Sequence, residues 1–387
     1  MSARPSMSNV TRGWVATTDN LVDVGLPQGQ CLVVKSSRTG ASRRFVVGAL
    51  PCRIIRHPME GRNMPRKPLL VAVLSTLLCL VGVGPTAASD HPGSGSRHGP
   101  PTNGPIAFGR VDLAIGGPSL WTSNADGSHQ VRLTTDVTGF SDWSPDGRRI
   151  AFDFADDSGV HIATISPDGR HRRSLTTTLG VQEVPRWSPD GTKIAFDAFE
   201  FDQEPFSISI RVMRADGSHQ RQLTHGAIDV EPVFSPDGTK IAFGRIVGDS
   251  PTGQLEAIYV IHADGSGLRE VVPARAGLEH PDWSPDGRQI TFNIAPENPD
   301  AADSGAILSV RPNGRGLRVM YPPTRELRFF KAVWSPDGRE ILSGCHDTGV
   351  GLDRICRISG RGKTRVVVSG DTDVNFPSWG AQARPRH

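Results

Sequence analysis

The stretch WSPDGTKIAFD, residues 187–197, decides the fold. Pro189 presets φ for the first position of a turn, Asp190 can bond nearby backbone, and Gly191 takes the left-handed conformation at little cost. The apolar run Ile194-Ala195-Phe196 follows at once and reads as a strand. The same string recurs as Trp143, Asp146 and Gly147, as Trp283, Asp286 and Gly287, and as Trp334, Asp337 and Gly338. A fifth copy, with Asp237 and Gly238, has Phe234 in place of Trp. The steps between copies are 44, 47, 49 and 51 residues. Gly (43) and Pro (31) make up about 19% of the 387 residues, against ~12% usually, which also favours a turn-rich, all-β chain.

A second turn lies in mid-unit, at Asp126-Gly127, Asp168-Gly169, Asp216-Gly217, Asp264-Gly265, Asn313-Gly314 and the eroded Ser359-Gly360. Apolar strands flank each, so a unit reads strand, SPDG turn, strand, loop, strand, DG turn, strand. Four short strands cannot bury their faces alone, but they can when stacked radially. The repeated Trp is too large for surface decoration and is expected to pack between neighbouring sheets. Six units are counted. The first, opening at Ile106-Ala107-Phe108, lacks its leading strand, whereas the segment up to Trp379 and Gly380 matches a leading strand with nothing after it. The two defects complement each other. The expected fold is an all-β, six-bladed β-propeller of four-stranded blades, closed by the C-terminal strand completing the first blade.

Outward from the repeats, the chain changes character. Residues 1–88 carry 11 Lys/Arg against 3 Asp/Glu, while residues 89–387 carry 32 against 37. The basic balance therefore belongs to the leader, and a nucleic-acid partner is not expected. Residues 64–88 have the layout of a signal peptide: Arg66 and Lys67, an apolar run over 69–83, then Thr86-Ala87-Ala88. The alternative is a single membrane anchor at 69–83. Residues 1–63 show no periodic segment and read as an upstream extension or disordered tail. Residues 89–102 read as a Gly/Ser/Pro linker, 103–380 as the propeller and 381–387 as a tail. Either reading of 64–88 puts the large domain outside the cytoplasm, secreted or periplasmic.

The SPDG-bearing repeats resemble the WD-repeat-like blades of the TolB family, the periplasmic propeller of the Tol-Pal envelope system. The resemblance runs from Asn103 to Gly380. It implies a propeller that binds partners. Similar blades also form the gating domain of prolyl-oligopeptidase-like enzymes. TolB carries an α/β domain before its propeller, and the short linker here leads us to expect none.

Catalytic motifs are not found: there is no G-x-S-x-G, H-E-x-x-H or C-x-x-C, and Gly362-Lys363-Thr364 has Arg357 where a phosphate loop needs its first glycine. The eleven histidines after the leader do not cluster, and they read as solvated loop residues. The acidic stretches 153–157 and 200–204 read as solvated loop charge; calcium is chemically admissible there, but no calcium-loop spacing supports it, so no metal or cofactor is expected. Insertions at 246–253 and 297–305 lengthen the corresponding loops of blades four and five. Residues two to four before each repeated aromatic should lie on the innermost strand. The polar ones, Glu183, Glu231, Glu279, His280, Lys331 and Asn375, are the candidate wall or mouth of the channel. Cys345 and Cys356 flank a hairpin of blade six and are expected to form a disulfide.

Two functional classes fit. The favoured one is a non-enzymatic, exported binding or scaffold module for a protein, peptide or envelope component, and a monomer is expected. The other is an enzyme built on the ring, a metal-dependent lactonase-like hydrolase or a lyase, with its site at the channel mouth.

Overall fold

The computed structural model describes residues 13–16, 21–24, 30–39, 42–51 and 103–381, except 113–116, 201–205, 251–252 and 296–302. The chain divides into two compact units, Met1–Leu78 and Cys79–His387. The first contains a four-stranded sheet in which Gly13–Ala16 pairs antiparallel with Leu21–Val24 and parallel with Gln30–Thr39, itself hairpinned to Ser42–Pro51. These strands lie within the range 1–63 read above as an upstream extension or disordered tail. Their apolar runs are too short to register as a period, yet they are rich in β-branched Val. The readings of 64–88, 89–102 and 382–387 lie outside the described residues.

The second unit carries no helix among its described residues. Its strands group in fours, giving six blades. The inner strands are Val374–Ala381, Val137–Trp143, Gly180–Trp187, Ile228–Phe234, Leu278–Trp283 and Leu327–Trp334 for blades one to six. In blade three the order outward is Gly180–Trp187, Lys193–Glu200, Ser207–Arg214 and Arg221–Gln222, all antiparallel. Blades two to four merge into one sheet through short parallel pairings such as Gly159↔Gly180 and Ile208↔Ile228. Because successive strands alternate in direction, the start of each inner strand shares a face with the hairpins between second and third strands. The SPDG and DG turns occupy the opposite face.

The SPDG turn is more than its Pro, Asp and Gly. In blade three Ser188 Oγ donates to Asp190 Oδ1 (2.6 Å) and accepts the Lys193 N–H (2.9 Å), while the Thr192 N–H donates to the same carboxylate oxygen (3.0 Å). These bonds to the charged form hold Asp190 below the usual carboxylate range, and they bring Asp237 down to about 2. The repeated aromatics sit where neighbouring blades meet, as expected: Trp187 packs with Ala151 and Ile162 of blade two, and Phe234 with Ala195 and Ile210 of blade three. Truncating one such buried aromatic to Ala costs about 3–5 kcal/mol.

The ring closes as its sequence phase requires. Val374–Ala381 pairs antiparallel with Asn103–Asp112, with Asn375 opposite Gly109 and Trp379 opposite Ile106. Gly380 is required at this seam, since a Cβ there would lie 2.8 Å from the Trp143 ring of blade two. Cys345 and Cys356 are bonded across neighbouring strands of blade six, both fully buried, with Cα atoms 5.9 Å apart. The described part of the insertion at 246–253 continues the hairpin ladder, pairing Asp249 with Gln254. Gly362-Lys363-Thr364 runs from the mid-unit turn of blade six into its outermost strand, Thr364–Val368, with the Gly362 N–H donating to Ser359 O (2.7 Å).

Candidate functional site: the channel mouth

Every inner strand carries a β-bulge just before its repeated aromatic. In blade three the ladder skips from Glu183↔Asp197 to Arg186↔Ala195. The residue three before the aromatic takes positive φ in five blades: Val184 (53°), Glu231 (60°), His280 (54°), Lys331 (43°) and Phe376 (48°). In blade two Gly139 absorbs the strain at φ 146°, one residue before Phe140. Left-handed backbone at β-branched, charged and aromatic residues is costly and persists where the surroundings enforce it. The bulge re-aims these six side chains toward the ring axis.

The enforcing groups come from the second strands. Asp153 Oδ1 accepts the Gly139 and Phe140 N–H groups (3.1 and 3.0 Å), and its Oδ2 accepts Val184 N–H of the next blade (3.2 Å). Asp197 accepts the Glu231 N–H (3.1 Å), and Asn293 Oδ1 accepts the Ala332 N–H (2.9 Å). Asp153 is therefore a fully buried structural anchor, which corrects its reading as loop charge. Glu200 is likewise held, by Arg211 at 2.6 Å, whereas Asp156 and Asp157 are exposed as expected. His161, read as a solvated histidine, is 1% exposed and bonds Ser158. His129, His171, His219, His225 and His262 are exposed.

Five of the six re-aimed residues form two unlike groups. Phe140 and Phe376 touch ring to ring (centroids 4.5 Å apart), and the Lys331 ammonium lies over both, at 4.6 and 5.4 Å. Opposite, His280 Nδ1 pairs with Glu231 Oε1 (2.6 Å), and the His280 N–H donates to Glu231 Oε2 (2.5 Å). Burial opposes both charges, yet each partner stabilises the other: His280 is held above its ordinary value and Glu231 below. Burial and the nearby Arg186 bring Lys331 down to about 7. Glu183 stands one residue further up its strand, half-buried. Burial, then the charges of Asp153 and Glu231, push it up to about 8. Burial and the charges of Glu183, Glu231 and Asp229 also raise Asp197, and Glu256 of the third strand in blade four is raised by burial, Glu231 and Glu279. Asn375 lies apart from this group, its Oδ1 taking the space above Gly109.

Below the bulges, the residues just before the aromatics make a second layer that the sequence reading did not single out. Arg186 of blade three reaches Asp142 of blade two (3.6 Å) and Asp282 of blade five (3.9 Å). Asp142 and Asp282 also accept the Trp187 and Trp334 N–H groups, both at 2.8 Å. Burial, partly offset by Arg186, raises Asp142 and brings Asp282 to about 6. Among the described residues, no three His, Cys, Asp or Glu side chains are placed to hold a metal ion.

A family profile described as TolB beta propeller domain matches residues 118–383. Among solved structures, TolB from Acinetobacter baumannii superposes with a TM-score of 0.58 at 19% identity, covering 72% of this chain and 66% of that one, just under two thirds of its length. A hydrazine synthase chain of Kuenenia stuttgartiensis gives 0.58 at 15% identity, covering 74% and 48%, and a chain of a nidogen/laminin complex gives 0.55 at 12% identity, covering 73% and 99%. These likenesses concern the fold. No curated protein matches the chain. By its repeats, its closed ring and the extent of that profile match, the chain belongs to the TolB β-propeller domain family.

Proposed function

We propose that the chain is an extracytoplasmic, non-enzymatic binding or scaffold module that receives a protein, peptide or envelope component on the face carrying the channel mouth. The carrying observation is the filling of the channel. Bulged side chains and the Arg186 strut occupy it at two levels, leaving a floor with an aromatic half and an acidic half. Such a floor presents chemistry to a docking surface. The fold supports a binding role, and the leader composition supports export. A ring-borne hydrolase or lyase is the second reading. It is favoured by Glu183, a carboxyl held at about 8 beside the Glu231–His280 pair, a suitable value for proton transfer near neutrality.

Photo-crosslinking tests the first reading. A crosslinking residue replaces exposed Asp157, on the mouth face, or exposed Asp168, on the turn face. Against envelope extract of the source cells, the expected result is one saturable adduct from position 157, competed by unlabelled protein. Equal adducts from both faces, or none, overturn the reading.

A further inference from the structure

We propose that the acidic half of the mouth, around Glu183, Asp197, Glu231 and Glu256, receives an ammonium or guanidinium group of a ligand; this deepens the reading of that face as a binding surface and rests on it.

The second strands differ between blades at one position. Blades two, three and five place Asp153, Asp197 and Asn293 at one point of the second strand, where each anchors the next blade's bulge. Blades one and six have Gly109 and Gly344 there, their space taken by Asn375 and Phe330 of the inner strand, and blade four has Gly244. The space is taken by Glu256 from the neighbouring strand: a Cβ on Gly244 would lie 1.8 Å from Glu256 Oε1. Yet Glu256 anchors nothing. The amide it would be expected to accept, that of His280, is already bonded to Glu231. Glu256 is only 7% exposed, and its Oε1 has no hydrogen-bond partner. A buried acceptor without a donor is costly, and a ligand bringing N–H donors would satisfy it.

The charge balance points the same way. Asp197, Glu231 and Glu279 surround Glu256, while Asp153 and Glu231 act on Glu183, and Asp229 adds to the field at Asp197. The nearby cations are engaged elsewhere: His280 with Glu231, Arg186 with Asp142 and Asp282, Arg245 with Asp229, and Lys331 over the phenylalanine rings. Among the described residues, no Lys, Arg or His side chain bonds Glu183 or Glu256.

Nitrogen cations fit better than a metal ion. A hard divalent ion needs several oxygens within about 2.3–2.6 Å of one point, and the described carboxylates do not converge so. An ammonium or guanidinium accepts dispersed oxygens at hydrogen-bond distance and favours aromatic faces. Phe140 and Phe376 adjoin the site through His280, at centroid distances of 6.1 and 5.9 Å, and already carry one ammonium, that of Lys331.

The test is calorimetric titration of the full chain at pH 7.5 and low salt, with cadaverine, with an end-blocked lysine tripeptide and with calcium chloride. We expect saturable binding of the nitrogen cations, with protons released, so that the heat varies with the ionisation enthalpy of the buffer. Glu256→Gln and Glu183→Gln should each weaken binding at least tenfold, and Asp168→Asn on the opposite face should not. Tighter binding of the tripeptide than of cadaverine assigns the group to a peptide partner, and the reverse to a small amine. Thermal unfolding of each variant confirms its fold, and Glu183, at the more open edge, serves if Glu256→Gln fails to fold. No saturable binding, binding indifferent to both substitutions, or binding of calcium alone overturns the proposal. If position 157 still crosslinks while the amines fail, the binding reading stands and the cation inference falls.

Discussion

Replacing Glu183 by Gln should change how the stability of the propeller depends on pH. In the folded ring this carboxyl is pushed from 4.5 to about 8 by burial and by the charges of Asp153 and Glu231. A carboxyl that holds its proton more tightly folded than unfolded contributes stability below its unfolded value. That contribution is lost as pH rises through its folded value. The affected window is therefore about pH 4.5 to 8. At about 1.4 kcal/mol per pH unit across that window, the ceiling is about 5 kcal/mol. Gln has no proton to lose and removes one repelling charge from Asp197. The wild type should thus lose up to about 5 kcal/mol relative to Glu183→Gln between pH 4.5 and 8.5, and the gap should level off above that. With a urea slope of about 3 kcal/mol per molar, the midpoints diverge by as much as about 1.7 M. Urea unfolding of both proteins at half-unit pH steps reads this directly. Midpoints that stay parallel from pH 5 to 8.5 would refute the reasoning, because the carboxyl would then titrate alike in both states.

Two further outcomes follow from the ring. Replacing Cys345 and Cys356 together by Ser removes a bridge of sequence separation 11, for which loop-closure entropy predicts a loss of about 3 kcal/mol; a urea midpoint unmoved by the substitution would sink that estimate. Arg186→Met strands Asp142 and Asp282 without their shared cation and should cost about 3–5 kcal/mol at pH 8. The cost should shrink at pH 5, where Asp282, brought to about 6, takes up a proton, and an equal cost at both values would count against the strut.

The blades were legible in the sequence because their turns are local chemistry: Pro189, Asp190 and Gly191 specify a turn wherever they occur. The closure was legible because two defects matched in phase. Glu231, His280 and Lys331 were legible as inner-strand residues because strand position alone puts them before the repeated aromatic, as it does Phe140 and Phe376. The rest depends on distance in space. Asp153 was hidden by its exposed neighbours Asp156 and Asp157, since its burial follows from the next blade's bulge packing over it. Arg186 pairs across the channel, with a residue 96 positions away that ring curvature brings near. Glu256 acquires its position because Gly244 has no side chain.

The seam between Val374–Ala381 and Asn103–Asp112 also orders events in time. The first blade to emerge during synthesis lacks its inner strand until residues some 270 positions later arrive. Such a contact is among the slowest to form, since the intervening chain must be gathered before it is rewarded. A chain that stops short of Trp379 leaves Ile106 and Phe108 bare and one sheet edge open to proteases and to other chains. The seam thus acts as a completeness check on the ring, in which its C-terminal strand certifies the blades that lie between.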